Sequence, residues 1–326
     1  MSLARPDIQL RVAAKLPAAE DICALELHSI DGAPLPAFSA GAHIDLHLGD
    51  GLVRQYSLAG SPADSSRYLL GVLLEPASRG GSAAVHRRLR VGDLLGASLP
   101  RNHFALDPDA PHSLLLAGGI GVTPLLSMAE QLQLDGRGFE LHYCTRSAAR
   151  TAFAERLRDS AWAARVRLHH DDAEPAQRLD LARTLADAPP ATHLYVCGPR
   201  GFIDWVLQGA RDAGWDEARL HREYFAADPA PAADGGDAEF DVELASSSRV
   251  VRVPPGQTIV QALGAAGVDV PTSCEQGICG TCLTRVLAGT PLHRDSYLTD
   301  DERAAGDQML PCCSRAAAGA RLVLDL

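Results

Sequence analysis

The chain has 326 residues, 46% hydrophobic and 22% charged, with a net charge of −11; its length predicts two or three domains, each with its own core. An acidic chain without a basic cluster does not fit nucleic acid or an anionic membrane as partner. No run approaches 18 uncharged apolar residues, so no membrane-spanning helix is expected. The opening MSLARPDIQLRVAAKLPAAED lacks the apolar core of a signal peptide. Eight cysteines are too few for a secreted disulfide scaffold, and their clustering points to a reducing compartment and a metal, so a cytoplasmic protein is expected.

The charge is uneven. From Asp228 to Leu326 there are fourteen Asp and Glu against seven Arg and no Lys, a balance of −7. Such a surface either aids solubility or offers a negative face to a basic protein partner. Two Pro/Asp-rich stretches, DPDAPHS at 107–113 and AADPAPAADGGDAEF at 226–240, divide the chain. The expected units are 1–107, 108–226, a linker at 227–240, and 241–326.

In the first unit, DIQLRVAAKLPAAEDICALELHS alternates around a turn, and AHIDLHL, VRQYSLA and YLLGVLLE add short runs between Gly, Pro and Asp. That rhythm predicts an antiparallel barrel or sandwich. Within it lies RQYS, with Arg54, Tyr56 and Ser57, followed by Gly80, Gly81 and Ser82 opening a helix-like stretch. Backbone amides and a hydroxyl at such a helix start form an anion site.

The second unit changes rhythm. Strand and helix patterns alternate from HSLLLAGGIGVTPLLSMAEQLQ through FELHYCTR, TAFAERLRDSA, RVRLHHDD and THLYVCGP to RGFIDWVLQGARDAG. This predicts a parallel, doubly wound α/β sheet. GGIGVTP supplies Gly118, Gly119, Gly121 and Thr123 between strand and helix, a turn that lets the backbone approach a pyrophosphate. It departs from G-x-G-x-x-G in having Pro124 at the third glycine. YVCGPRGF places Cys197, Gly198 and Pro199 at the end of a second strand, on the edge where such sheets bind ligands. Asp171, closing RLHHDD, can accept from a ribose diol and repel a 2′-phosphate, which favours NADH over NADPH. Arg146 in CTRS argues the other way unless it serves the pyrophosphate or adenine. Either residue reads equally as a solvated loop charge.

The third unit opens with paired strands in EFDVELASSSRVVRVPPG, then a short helix in TIVQALGAAG, then the cysteines. Cys274, Cys279 and Cys282 have the spacing C-x4-C-x2-C, and after 29 residues come Cys312 and Cys313. This is the plant-type [2Fe–2S] pattern. It differs from the two short pairs of a structural zinc site. Gly277 and Gly280 let the loop take positive φ and aim N–H groups at sulfur. Adjacent residues on a strand face opposite ways, so only one of Cys312 and Cys313 serves; spacing alone does not choose.

Residues 241–326 resemble a plant-type ferredoxin, an α+β domain of the β-grasp kind. There the last ligand precedes x-Ser/Ala, and CCSRA aligned that way makes Cys312 the ligand and turns Cys313 to the core. GGIGVTP followed by YVCGPRGF resembles the pyridine-nucleotide domain of ferredoxin–NADP reductases, where the Cys197 position lies near the nicotinamide. R-x-Y-S is similar to that superfamily's flavin motif: Arg54 for the phosphate, Tyr56 on or beside the isoalloxazine, Ser57 hydrogen-bonding to it. Gly80, Gly81 and Ser82 complete the phosphate site. HREYF implies an aromatic, Phe225 or Tyr224, over the flavin where nicotinamide docks; a core aromatic is the alternative. End to end the chain resembles the phthalate dioxygenase reductase family.

That resemblance implies FMN rather than FAD, a [2Fe–2S] cluster and NADH as substrate. Hydride passes from NADH to FMN and electrons go singly to the cluster, with no side chain needed as acid or base. The implied partner is a Rieske-type oxygenase acting on an aromatic acid or aryl ether, and the chain is expected to be a monomer. The alternatives are a reductase for a different terminal acceptor and a carrier module without flavin chemistry.

Overall fold

The computed structural model describes residues 6–49, 52–76, 80–172, 174–225, 237–272, 274–278 and 280–326. The first sheet is built from short alternating segments: β1 (Ile8–Ala19), β2 (Ile22–Ser29), β3 (His43–His47), β4 (Val53–Ser57), β5 (Tyr68–Leu73) and β6 (Leu94–Ala97). Every pairing is antiparallel, in the order β4-β3-β6-β1-β2-β5. An antiparallel bridge from Leu58 to Leu70 ties the two edges, as in a barrel. Alternation sends Leu10, Val12, Leu25, Leu27, Ile44, Leu46 and Leu70 into one core.

Helix α1 (Gly81–Arg87) lies between β5 and β6. Its C-terminal carbonyls are satisfied from outside: Lys15, the only lysine of the chain, donates to the oxygens of Val85 (2.7 Å), His86 (2.7 Å) and Leu89 (3.1 Å). An ammonium there also complements the negative helix end.

The second sheet comprises β7 (His112–Gly118), β8 (Gly138–Thr145), β9 (Val166–His170), β10 (His193–Gly198) and β11 (Leu220–Tyr224). All are parallel, in the order β11-β10-β7-β8-β9. The helices are α2 (Val122–Leu134), α3 (Ala154–Asp159), α4 (Leu181–Asp187) and α5 (Arg200–Asp212). Sequence patterning passes over α4. It also makes α3 too long, because Phe153 sits in the left-handed region (φ 61°) and is buried, which delays the helix to Ala154.

The expected seam at 107 falls in the loop between β6 and β7, yet the two sheets are not separate bodies. Ile22, Ala40, Ala59 and Phe104 of the barrel share a core with Leu115, Leu125, Leu141 and Tyr143. Arg156 donates to Ala59 O (2.7 Å) and pairs with Glu130 (3.0 Å), while Arg150 reaches Glu20 and Asp21 in the β1–β2 turn. Pro6–Phe225 is accordingly one compact unit.

The C-terminal unit has β12 (Phe240–Leu244), β13 (Arg249–Val253), α6 (Ile259–Ala265), β14 (Thr284–Ala288), β15 (Pro291–Leu292), α7 (Asp300–Ala305), β16 (Gln308–Met309), β17 (Arg315–Ala316) and β18 (Arg321–Leu324). Its main sheet runs β13-β12-β18-β14-β16, with β12 and β18 parallel, and β15 pairs with β17. Thr258 and Gln261 form a capping box that starts α6. Ile259 and Leu263 then pack on Phe240, Val242, Val253, Leu322 and Leu324, so the sheet grips one helix. Of the expected linker, 227–236 lies outside the described residues. Its far end is pinned by Arg315, which donates to the carbonyls of Ala238 (3.0 Å) and Pro254 (3.2 Å). Among the described residues no helix is long and apolar enough to cross a membrane.

Candidate functional site

Strand β4 and helix α1 join the two motifs of the barrel. A side chain on Gly81 would strike Arg54, at 2.5 Å from Cγ and 2.9 Å from Nε, so the Arg54 side chain lies across the first turn of α1. Only glycine allows that approach. The Ser82 hydroxyl accepts from Glu75 N (3.1 Å), fixing the strand-to-helix turn. Tyr56 packs against the barrel core, and burial pushes its hydroxyl pKa up, so it stays neutral. These groups suit a phosphate beside an aromatic ring, as a flavin would present.

The nucleotide motifs meet where the strand order reverses, between β7 and β10. Gly198 and Gly118 face each other so closely that a Cβ on Gly198 would lie 2.9 Å from Gly118 Cα. A Cβ on Gly121 would collide with the Cys197 carbonyl. Gly119 takes φ 53° in the short 3-10 turn Gly119–Gly121 that leads into α2, and Thr123 donates to Ile120 O (3.0 Å). Both glycine turns thus lie at the carboxyl edge of the sheet, at its switch point. At the same edge Asp171 N donates to Thr145 O (3.0 Å) and Asp172 N to Arg146 O (3.2 Å), so Asp171 and Arg146 are exposed neighbours across β8 and β9.

Cys197 is fully buried, and burial raises its thiol pKa well above the usual range, with the Glu223 carboxyl adding to the rise. It is a packed thiol, not a nucleophile. Register explains the neighbour: Cys197 of β10 pairs directly with Glu223 of β11. Ser57 of the barrel lies beside the Glu223 carboxyl and favours its charged form, while the carboxyl Oε2 is sealed from water without a hydrogen-bond partner. The residue is half-buried overall, but the carboxyl end is desolvated, and this raises its pKa to about 8. Sequence reasoning passed over Glu223 and assigned no acid or base.

Tyr224 and Phe225 differ in their packing. Tyr224 is held on the opposite face, its hydroxyl donating to Asp204 (2.8 Å) and its ring under the Arg200 guanidinium (4.4 Å). Phe225, just past the end of β11, is 38% exposed, which leaves its ring available to cover a ligand.

In the C-terminal unit Cys282 and Cys312 are buried together with Leu298 and Leu310. Gln276 N donates to Cys274 Sγ (3.3 Å), and the Gly277 N–H points to Cys312. A hydrogen bond with Cys282 pushes the Cys312 thiol pKa up. Gly277 and Gly280 have φ 72° and 68°, as the cysteine loop requires. A Cβ on Gly277 would collide with Cys313, and one on Gly280 with the Tyr297 ring. The donor chemistry and glycine cradle fit a [2Fe–2S] cluster. Cys279 lies outside the described residues; among those described, no three metal-binding side chains form a ready-made set. One expectation is corrected. Cys312 and Cys313 lie in a turn, not on a strand, because Cys313 N (3.2 Å) and Ser314 N (2.9 Å) both return to Leu310 O. The less buried Cys313 has its sulfur against Gly277 and also packs on the small core of Cys282, Leu298, Leu310 and Cys312.

An antiparallel barrel with a phosphate grip, a doubly wound nucleotide sheet and a cysteine-loop domain, in that order, define a modular electron-transfer reductase. Residues 242–317 match the family model of a 2Fe-2S iron-sulfur cluster binding domain, and 95–220 that of the N-terminal domain of dimethylamine monooxygenase subunit DmmA-like proteins. The chain is 53% identical to the vanillate O-demethylase oxidoreductase of Pseudomonas sp. (strain HR199 / DSM 7063), over 98% of this chain and 100% of the relative. It is 40% identical to the phthalate dioxygenase reductase of Burkholderia cepacia, over 98% and 97%. The solved structure of phthalate dioxygenase reductase, described as modular for electron transfer from pyridine nucleotides to [2Fe-2S], superposes with a TM-score of 0.75 at 39% identity and covers 98% of both chains. The chain belongs to the phthalate dioxygenase reductase family. It is an NADH-dependent oxygenase reductase carrying a flavin and a [2Fe–2S] cluster.

Proposed function

We propose that the flavin is FMN and that the electrons leave for a Rieske-type oxygenase acting on an aromatic acid or aryl ether. The observation that carries the reading is the meeting of Ser57 from the barrel with Cys197 and Glu223 from the nucleotide sheet. It supports one site where a flavin held by the barrel meets a nicotinamide held by the sheet. The phosphate grip of Arg54 with Gly80, Gly81 and Ser82 favours a mononucleotide, since the sequence offers no second site for an adenosine half.

A bound flavin takes electrons in pairs and releases them singly, which is what a one-electron cluster requires. The chain's own groups do the positioning. Arg54 and the first turn of α1 anchor the phosphate end, and the half-buried, neutral Tyr56 supports the ring. Gly118–Gly121, Gly198 and Pro199 bring the dinucleotide backbone to the switch point. Phe225, exposed at the end of β11, would cover the ring of a bound flavin. Cys274, Cys279, Cys282 and Cys312 hold the cluster, and the acidic C-terminal third suits a basic oxygenase patch.

Purified protein is expected to release FMN in near-equal amount to protein and to drive cytochrome c reduction with NADH. Protein with the cluster's spectrum but neither flavin nor NADH-driven reduction would be a carrier module, and the reading fails. Cofactor choice has its own test. Asp171→Ala removes a charge worth about 1 kcal/mol against a 2′-phosphate, so the preference for NADH over NADPH should narrow roughly fivefold in kcat/KM. An unchanged ratio removes Asp171 from the ribose site.

A further inference from the structure

Beside the cysteine loop runs HRDSYLT, residues 293–299, of which the site described above uses only Tyr297 and Leu298, as packing. Asp295 stands out because its side chain is wholly buried although it is charged by type. A buried carboxylate is costly unless hydrogen-bonded. This one is well supplied. Its Oδ2 accepts from the backbone of Leu298 (2.8 Å) and Tyr297 (3.2 Å), and its Oδ1 from the Ser314 hydroxyl (3.4 Å). Arg303 donates to the Asp295 carbonyl (2.6 Å) and stands 3.8 Å from Oδ2, and His293 Nδ1 lies 3.6 Å from Oδ1.

The turn so folded lies against the cysteine loop. Ser296 N donates to Gly277 O at 2.9 Å. A Cβ on Gly277 would lie 2.9 Å from both Cα and Cβ of Asp295, and one on Gly280 would strike the Tyr297 ring. Both positive-φ glycines of the loop are therefore wedged on a surface whose shape depends on one carboxylate. Ser314, which also hydrogen-bonds to that carboxylate, directly follows the Cys312–Cys313 turn, so Asp295 links the two ligand-bearing segments.

We propose that Asp295 is a positioning residue for the [2Fe–2S] cluster. It shapes the turn that seats the 274–282 loop, and its charge contributes to the field in which the cluster gains an electron. The inference rests on the cluster assignment, and the test separates the two. Parent protein without bound iron and sulfide defeats the assignment itself; an iron-loaded parent makes the variants informative about Asp295 alone.

Asp295→Asn keeps size and hydrogen-bonding capacity but not charge. It should retain parental iron and sulfide, and its cluster midpoint potential should shift upward, with altered EPR g-values in the dithionite-reduced protein. Asp295→Ala loses the turn as well, and should lose most of its iron while FMN content and NADH-driven ferricyanide reduction stay parental. An Ala variant matching the parent in iron content and EPR signature overturns the proposal. Where the Ala variant does not fold, the Asn variant decides, and an unshifted midpoint potential overturns the proposal.

Discussion

Cys312→Ser should remove the cluster and leave the flavin half of the protein working. Loss even of groups around metal ligands costs about 10- to 100-fold in affinity, and loss of a ligand costs more. Iron content should fall accordingly, and NADH-driven cytochrome c reduction should drop by more than about 100-fold. Ferricyanide, which the flavin reduces directly, should still be turned over at the parental rate. The reason for choosing Cys312 is its buried placement beside Cys282, with the Gly277 N–H aimed at its sulfur. Cys313 lies in the same turn and is more exposed, so Cys313→Ser should keep both activities. The opposite pattern would move the ligand role to Cys313. Because the cluster binds only the folded loop, Cys312→Ser should also lower the melting temperature of the C-terminal unit.

The turn at 312–313 shows where sequence reasoning stops. The cysteine spacing is a local, chemical constraint and can be read directly. Which of two adjacent cysteines faces the cluster depends on backbone hydrogen bonds returning to Leu310, and alternation along an assumed strand gave a false geometry there. The glycine turns at 118–121 and 197–199 were legible because tight approach demands residue types that stand out. That they meet, with Gly198 against Gly118, is a consequence of strand order. Arg54 over Gly81 is similar: each half is visible in the sequence and the contact is not.

Glu223 and Asp295 were missed for another reason. Each lies in a charged stretch, HREYF or HRDSYLT, and looks like one more solvated acid. Burial is what separates them from their neighbours. The seam at 107 is another case: a Pro/Asp cluster marks where the antiparallel sheet gives way to the parallel one, and nothing in it tells that the core formed by Ile22, Phe104 and Leu115 runs across it.

Glu223 should make the stability of the flavin–nucleotide unit depend on pH in an unusual direction. Its ordinary pKa is 4.5, and desolvation raises it to about 8 in the folded protein. Between those values the folded chain holds a proton that the unfolded chain has released. Unfolding free energy then falls as pH rises, by up to about 1.4 kcal/mol per pH unit from this group, and levels off above the folded pKa. The accumulated cost at alkaline pH is on the order of 5 kcal/mol. Glu223→Gln fixes the neutral, hydrogen-bonding form and removes the slope. The two proteins should therefore be close in stability near pH 5, with the variant increasingly the more stable toward pH 8.5. Urea unfolding of the Pro6–Phe225 unit, followed in the intact protein by flavin fluorescence across that range, measures the difference. A constant difference would mean that Glu223 is ionised throughout. The same proton bears on function. Below pH 8 the carboxyl beside Ser57 and Cys197 is neutral, so it places no fixed negative charge where a hydride donor and its acceptor must stack. NADH oxidation by the parent should decline as pH passes 8, and the Gln variant should lack that decline, which ties the stability and the rate to one buried proton.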